Sequence, residues 1–287
     1  MNGVQLAVSL PLSSQQCRES SVNAFHASRK GHGFHSRLRR IVRRATICPP
    51  RRSDLTTPLR YAVYHLPSDP DFSAFSSAWL GWDAETGREP PAPDLPPLPL
   101  PRAQITDEPR RYGFHATLKA PFRLAPGTTP QALDSSLADL ASQLAPVTLT
   151  GLALTPIGRF LALTPADPSA ALQDLAARCV AALDCFRAPL TPDDIARRRP
   201  DRLTPNQRSL LDRWGYPYVM EEFRFHMTLT GPLDPEPAAT VAAILAPRLA
   251  ALAPRPYRID ALCLLAEGPD RRFRLVRRHP LTASPAT

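Results

Sequence analysis

YGFHATLKAPF (112–122) and FRFHMTLTGPL (223–233) are the two stretches on which the reading of this chain turns. Each is rich in aromatic and apolar residues and contains His-x-Thr-Leu, at 115–118 in the first and 226–229 in the second. By composition each reads as a β-strand. Side chains at i and i+2 of a strand share a face. His115, Thr117 and Lys119 are therefore expected on one side, as are His226, Thr228 and Thr230. Ala116, Leu118, Met227 and Leu229 take the opposite, apolar side. Each strand offers one face to a core and one polar face to something else.

Both stretches open matched units. The first continues with a helix at about 131–144, where Leu133, Leu137, Leu140 and Leu144 share a face. VTLTGLALTP (147–156) and RFLALTP (159–165) then read as a hairpin turning at Ile157-Gly158. The second continues with a helix at about 237–252, with Val241, Ile244, Leu245, Leu249 and Leu252 apolar and Pro247 expected to kink it. YRIDALCLLAE (257–267) and RRFRLVRR (271–278) follow, turning at Gly268-Pro269-Asp270. His115 precedes Gly158 by 43 residues and His226 precedes Gly268 by 42. The units, about 112–165 and 223–278, predict an α+β fold: two pseudo-symmetric lobes of antiparallel sheet with helices and a catalytic cleft between them.

Before the first unit, RYAVYHLP (60–67) reads as a strand and DPDFSAFSSAWLGW (69–82) as a helix with acidic cap candidates. EPPAPDLPPLPLP (89–101) has seven prolines in thirteen residues and must be extended, as a connecting loop or a polyproline ligand. Between the units lie a helix at about 169–186 and a polar segment, 190–219. That segment is either a lid over a site or a solvated helix–turn connector.

The chain has 287 residues, enough to bury a core, and a net charge of +9. Residues 1–57 carry +8 of it, and the remaining 230 only +1. The basicity therefore belongs to the leading segment and is no argument for nucleic-acid binding by the body. That segment is Ser- and Arg-rich and without sustained periodicity. Its composition fits a transit peptide, a basic arm, or upstream sequence read from an earlier start codon. It is set apart here as a disordered or spurious extension, leaving the domain at 58–282 and a short tail at 283–287. Five scattered cysteines form no CxxC and no zinc spacing, as expected of reduced thiols in the cytoplasm. No apolar run approaches the ~18 residues that cross a bilayer, so no membrane association is expected.

Two imidazoles and two hydroxyls on adjoining polar faces suit phosphodiester chemistry. A neutral histidine takes a proton from the attacking water or hydroxyl, and an imidazolium gives one to the departing oxygen. An ordinary histidine pKa near 6.5 lets both forms exist around neutrality. Thr117 and Thr228 can donate to the non-bridging phosphate oxygens. Two histidines without nearby paired carboxylates make a poor metal site, so neither metal nor cofactor is expected. Lys119, Thr230, Arg111 and Arg224 are further candidates for holding phosphate. Tyr61 and Tyr64 on the first strand are secondary candidates, and Tyr112, Tyr216 and Tyr218 are candidates for stacking on a sugar or base, or for core packing.

At these residues the chain resembles the 2H phosphoesterase superfamily, named for two His-x-Thr/Ser motifs on pseudo-symmetric lobes. It is most similar to a branch associated with phosphonate metabolism, whose genes often stand beside those of carbon–phosphorus lyase. RYAVYHLP, RRYGFHATLKAPF and WGYPYVMEEFRFHMTLTGPL carry the likeness, which covers roughly 58–282. The resemblance implies His115 and His226 as the acid/base pair and Thr117 and Thr228 as phosphate-holding groups. It also implies a small cyclic phosphate of a nucleotide or ribose as substrate, and a monomer is expected. Two alternatives stay open. One is an RNA-end 2′,3′-cyclic or 2′,5′-phosphodiesterase or ligase, with Arg197, Arg198, Arg199, Arg202, Arg208 and Arg213 as its basic groove. The other is a non-catalytic phosphate- or RNA-binding module. Which histidine is acid and which is base stays open as well.

Overall fold

The computed structural model describes residues 58–284; the expectations for 1–57 lie outside them. Strand β1 (Tyr61–His65) is followed by helix α1 (Pro70–Leu80). Asp69 caps α1 by accepting from the Phe72 amide at 2.9 Å, and Gly81 ends it in a left-handed conformation, φ 80°. The proline-rich run is extended and leads to a short helix, α2 (Arg102–Ile105), and a 3₁₀ turn (Pro109–Arg111), neither of which the sequence pattern announced.

The first unit then runs β2 (Ala116–Phe122), α3 (Pro130–Ser142), β3 (Val147–Leu149), β4 (Leu152–Ile157) and β5 (Phe160–Pro165). Helix α4 (Ala170–Ala182) follows, and the 190–219 segment folds as α5 (Pro192–Arg197), a 3₁₀ turn and α6 (Pro205–Trp214). Thr191 and Thr204 form capping boxes with Asp194 and Gln207, which explains why so polar a stretch is helical. The second unit is β6 (Met227–Thr228), α7 (Pro235–Leu252), β7 (Tyr257–Ile259), β8 (Ala261–Glu267) and β9 (Phe273–Pro280). Pro247 lies inside α7, which continues through it to Leu252.

Two expected long strands are each broken. The 147–156 stretch splits after Leu149, and 257–267 splits after Ile259. The break is the same in both units because β3 and β7 leave the main sheet to pair with each other, Thr148 opposite Arg258. The other seven strands form one antiparallel sheet in the order β4-β5-β6-β2-β1-β8-β9. Its halves do not follow chain order. The β4–β5 hairpin of the first unit docks on β6 of the second, and the β8–β9 hairpin of the second docks on β1, beside β2 of the first. Each half of the sheet is thus completed by the other unit.

One large apolar cluster joins Val63, Ala116, Met227 and Leu163 from the strands to Phe72 and Trp79 of α1, Leu133 of α3, Leu175 of α4 and Val241 of α7. Alternate residues of the same strands face the other way. Ala62, Tyr64, Cys263, Leu265 and Phe273 form a smaller cluster with Trp82 and Ala84. Among the described residues no helix is long and apolar enough to cross a membrane.

Two buried polar contacts tie the core to the second motif. Trp79 Nε1 donates to the Leu229 carbonyl at 2.8 Å. His65 Nε2 and the Tyr257 hydroxyl are 2.8 Å apart, and that hydroxyl also lies 3.6 Å from Met227 Sδ. Replacing Trp79 by Phe leaves a buried carbonyl without its donor. It is expected to cost about 1–3 kcal/mol or more in urea unfolding. Burial lowers the His65 pKa to about 4. The unfolded chain takes up that proton near pH ~6.5, so stability is full above this value and is lost as pH falls towards 4. Unfolding free energies measured from pH 7 to 4.5 should decline for the wild-type protein and decline less for His65→Gln.

Candidate active site

β2 and β6 meet through one antiparallel pair, Ala116 opposite Met227. Both side chains are fully buried in the main core. The residues flanking that pair face the other way by strand alternation. Antiparallel register places His115 opposite Thr228 and Thr117 opposite His226. The four side chains form a small square on the sheet surface, with the pseudo-two-fold passing through the Ala116–Met227 pair. All four are partly buried, in contrast to their fully buried neighbours. His115 and His226 stand on a diagonal of the square, where such neighbours lie about 7–8 Å apart, a span that one phosphoryl group between the two rings can bridge.

The two rings are oriented by the same device. His115 Nδ1 donates to the Gly113 carbonyl at 2.9 Å, and His226 Nδ1 donates to the Arg224 carbonyl at 2.8 Å. A carbonyl only accepts, so each Nδ1 bears a proton and each neutral ring keeps Nε2 as its basic nitrogen. The Thr117 hydroxyl lies 3.2 Å from His115 Nε2. Gly113 has φ +73°, and a Cβ there would meet Ala84 Cβ at 2.8 Å, so glycine is required where the chain turns to present its carbonyl.

The surroundings of the rings differ. His115 stacks on Tyr64 with ring centroids 3.9 Å apart, and Tyr112 lies 5.7 Å away. His226 has Phe160 at 5.9 Å. Burial pushes the His115 pKa down to about 4; the Gly113 carbonyl opposes this and His226 adds to it. His115 is therefore neutral at physiological pH.

The remaining sequence candidates are not gathered here. Thr230 is buried, and its hydroxyl accepts from the Leu161 amide at 3.0 Å. β6 is only two residues long, and the Leu229 and Thr230 amides both donate to the Leu161 carbonyl, which ends the alternation that would have kept Thr230 beside Thr228. Lys119 stands four residues beyond His115, about 13 Å along the strand. Its ammonium donates to the Val180 carbonyl at 3.1 Å and to Asp184 at 3.3 Å. Burial lowers the Lys119 pKa, with Asp184 opposing. Arg111 is exposed and 3.7 Å from Asp107. Arg224 is exposed, and its contribution is the main-chain carbonyl that orients His226.

Gly113 was not among the sequence candidates, and Tyr64 was a secondary one by its place on the first strand. Gly113 stands two residues before His115, and a glycine so near the motif was the available signal. Nothing in the local pattern set Tyr64 apart from Tyr61, because only strand pairing brings it opposite Thr117. Among the described residues no cluster of three or more His, Cys, Asp or Glu is placed to hold a metal ion.

Beside the square, the 190–219 segment encloses a cavity of about 210 Å³ against the far end of β2. Tyr112 borders both. The segment thus walls a cavity at the far end of β2, which none of the four residues of the square lines.

Comparisons with known proteins bear on the whole domain. The chain is 40% identical over 221 residues to ribose 1,5-bisphosphate phosphokinase PhnN of Janthinobacterium sp. (strain Marseille), covering 72% of this chain and 47% of that protein. It is 39% identical over 183 residues to the PhnN of Laribacter hongkongensis (strain HLHK9), covering 61% and 41%. The chain thus spans less than half the length of the curated relatives it matches. Among solved structures, a phosphoesterase matches at 16% identity and TM-score 0.38, and E. coli LigT complexed with NADP+ at 17% and 0.38. Each match covers 79% of this chain and all of the other. The model of the DUF1045 family, described as a protein of unknown function, matches residues 117–274. That is more than half of the sequence, and the chain belongs to the DUF1045 family.

Proposed function

We propose that this protein is a metal-independent phosphodiesterase that opens a small cyclic phosphate by two-histidine acid/base catalysis. The observation that carries the reading is the square of His115, Thr117, His226 and Thr228 around the Ala116–Met227 pair. It presents two basic Nε2 atoms and two hydroxyls to one small volume, with both rings oriented by main-chain carbonyls.

The different surroundings of the two histidines support a division of roles between them. His115, held neutral by burial against Tyr64, acts as base. Its Nε2 takes a proton from water as the water oxygen forms a bond to phosphorus. His226, as imidazolium, protonates the ring oxygen whose bond to phosphorus breaks. The products are a phosphomonoester and a free hydroxyl, and proton exchange with solvent resets both rings. Thr117 and Thr228 donate to the non-bridging oxygens as charge gathers there.

A ribose cyclic phosphate is the favoured substrate class, in keeping with a place in phosphonate metabolism. The relatives at 40% and 39% identity bear a name that refers to a ribose phosphate. This chain contains no G-x-x-x-x-G-K-[ST] segment, the phosphate-cradling loop of P-loop kinases. The phosphokinase activity in that name is therefore not proposed for it.

The deciding assay is turnover of ribose 1,2-cyclic phosphate, 2′,3′-cyclic nucleotides and a 2′,5′-linked dinucleotide under excess chelator. Wild-type protein should cleave a cyclic substrate. His115→Ala and His226→Ala should each lose at least about 100-fold in kcat, within the usual range for general acid–base groups. Activity equal in variants and wild type, or abolished by chelator alone, would sink the mechanism. Cleavage of the dinucleotide alone would move the assignment to RNA ends.

The pH profile tests the direction. A base with its pKa near 4 stays competent well below the ordinary histidine value. The acid limb of log kcat/KM should therefore bend near pH 4, with activity falling below it. A bend at pH 6 to 7 would mean that His115 is not the base.

A further inference from the structure

His115 and His226 carry the same motif on strands with unequal support. β2 is seven residues long and pairs with β1 from Tyr61 opposite Phe122 to His65 opposite Ala116. β6 is two residues long, with one pair to β2 and two to β5. Main-chain pairing alone therefore holds His226 less firmly than His115, and what stands behind β6 matters more.

On the core face of the sheet, His65, Ala116 and Met227 form one transverse row, because His65 is opposite Ala116 and Ala116 is opposite Met227. Ala116 has nothing beyond its Cβ with which to join its neighbours. Tyr257 of β7 joins them instead, its hydroxyl 2.8 Å from His65 Nε2 and 3.6 Å from Met227 Sδ. The His65 ring also lies 6.3 Å from the ring of Phe225, centroid to centroid. Phe225 and Met227 are the chain neighbours of His226, and both belong to the main core. One buried polar unit thus reaches both residues that flank His226. Neither member ionises near neutrality: burial pushes the Tyr257 phenol up and the His65 imidazole down to about 4. Both lie across the sheet from the square, so neither can touch a substrate bound there. Paired polar groups in a core fix geometry more narrowly than apolar contacts do.

We infer that His65 and Tyr257 are positioning residues that hold β6, and with it the ring of His226, from behind the sheet. They keep Phe225 and Met227 on the core side. His226 then stays on the other face, its Nδ1 donating to the Arg224 carbonyl at 2.8 Å and its Nε2 free for the square. The effect on turnover rests on the diesterase reading, while the positioning itself does not.

The test uses Tyr257→Phe, which removes the hydroxyl and keeps the ring, and Met227→Leu, which removes the sulfur at similar volume. In the first arm, kcat and KM are measured for the cyclic phosphate that wild type cleaves. Tyr257→Phe should lower kcat about 10- to 100-fold, the scale of a catalytic group displaced by roughly an ångström, with KM little changed. An unchanged kcat per folded molecule overturns the inference and leaves the diesterase standing. In the second arm, the imidazole signals of His115 and His226 are followed by NMR, each assigned by its loss in the corresponding alanine variant. Tyr257→Phe and Met227→Leu should shift or broaden the His226 signal and leave that of His115 in place, even if no cyclic phosphate is cleaved. An unmoved His226 signal, or equal changes at both histidines, overturns the inference, because a merely structural loss acts on both or on neither. Should Tyr257→Phe fail to fold, Met227→Leu carries both arms.

Discussion

The contact on which the molecule depends is the antiparallel pairing of β2 and β6 at Ala116 and Met227. It joins the two halves of the seven-stranded sheet, and it sets which side chains leave the surface together. With small and apolar side chains buried at the crossing, the flanking histidines and threonines can face only the other way. A one-residue slip would bury the histidines and expose Ala116 and Met227. Core packing and the chemistry of the site are therefore set by one register.

The exchange of hairpins between units makes that register hard to lose. β6 is two residues long and would be a weak strand by itself. It is held on one side by β5 from the first unit and on the other by β2. Trp79 and Tyr257 hold Leu229 and Met227 from the core side. The main-chain carbonyls of Gly113 and Arg224 then fix the rings, so the imidazoles owe their orientation to backbone geometry. The environments break the symmetry: Tyr64 stacks on His115 with ring centroids 3.9 Å apart, and Phe160 stands 5.9 Å from His226.

The 190–219 segment is a polar insertion that folds over the end of β2. Its helices rest on threonine capping boxes, and few of its side chains join the core. It places arginines opposite β2, where carboxylates neutralise only part of their charge. The net charge of +1 over the body conceals this local surplus, because whole-chain bookkeeping averages over surfaces that never meet.

The sequence by itself determined the first His-x-Thr strand, the matched units, both hairpins and the long helices, while the second motif keeps only Met227–Thr228 as strand. Each of these is written in local periodicity and turn chemistry, which neighbouring residues settle among themselves. It also determined that His115 and Thr117 share a face, as do His226 and Thr228. Tertiary structure decided the rest. It split 147–156 and 257–267, because β3 and β7 found each other across more than a hundred residues of chain. It withdrew Thr230 into the sheet and tied Lys119 to Asp184. It brought Tyr64 onto His115, and it separated two histidines of identical motif by the apolar cover over one of them. Burial and strand pairing are properties of residues distant in sequence, so no local pattern could have carried them.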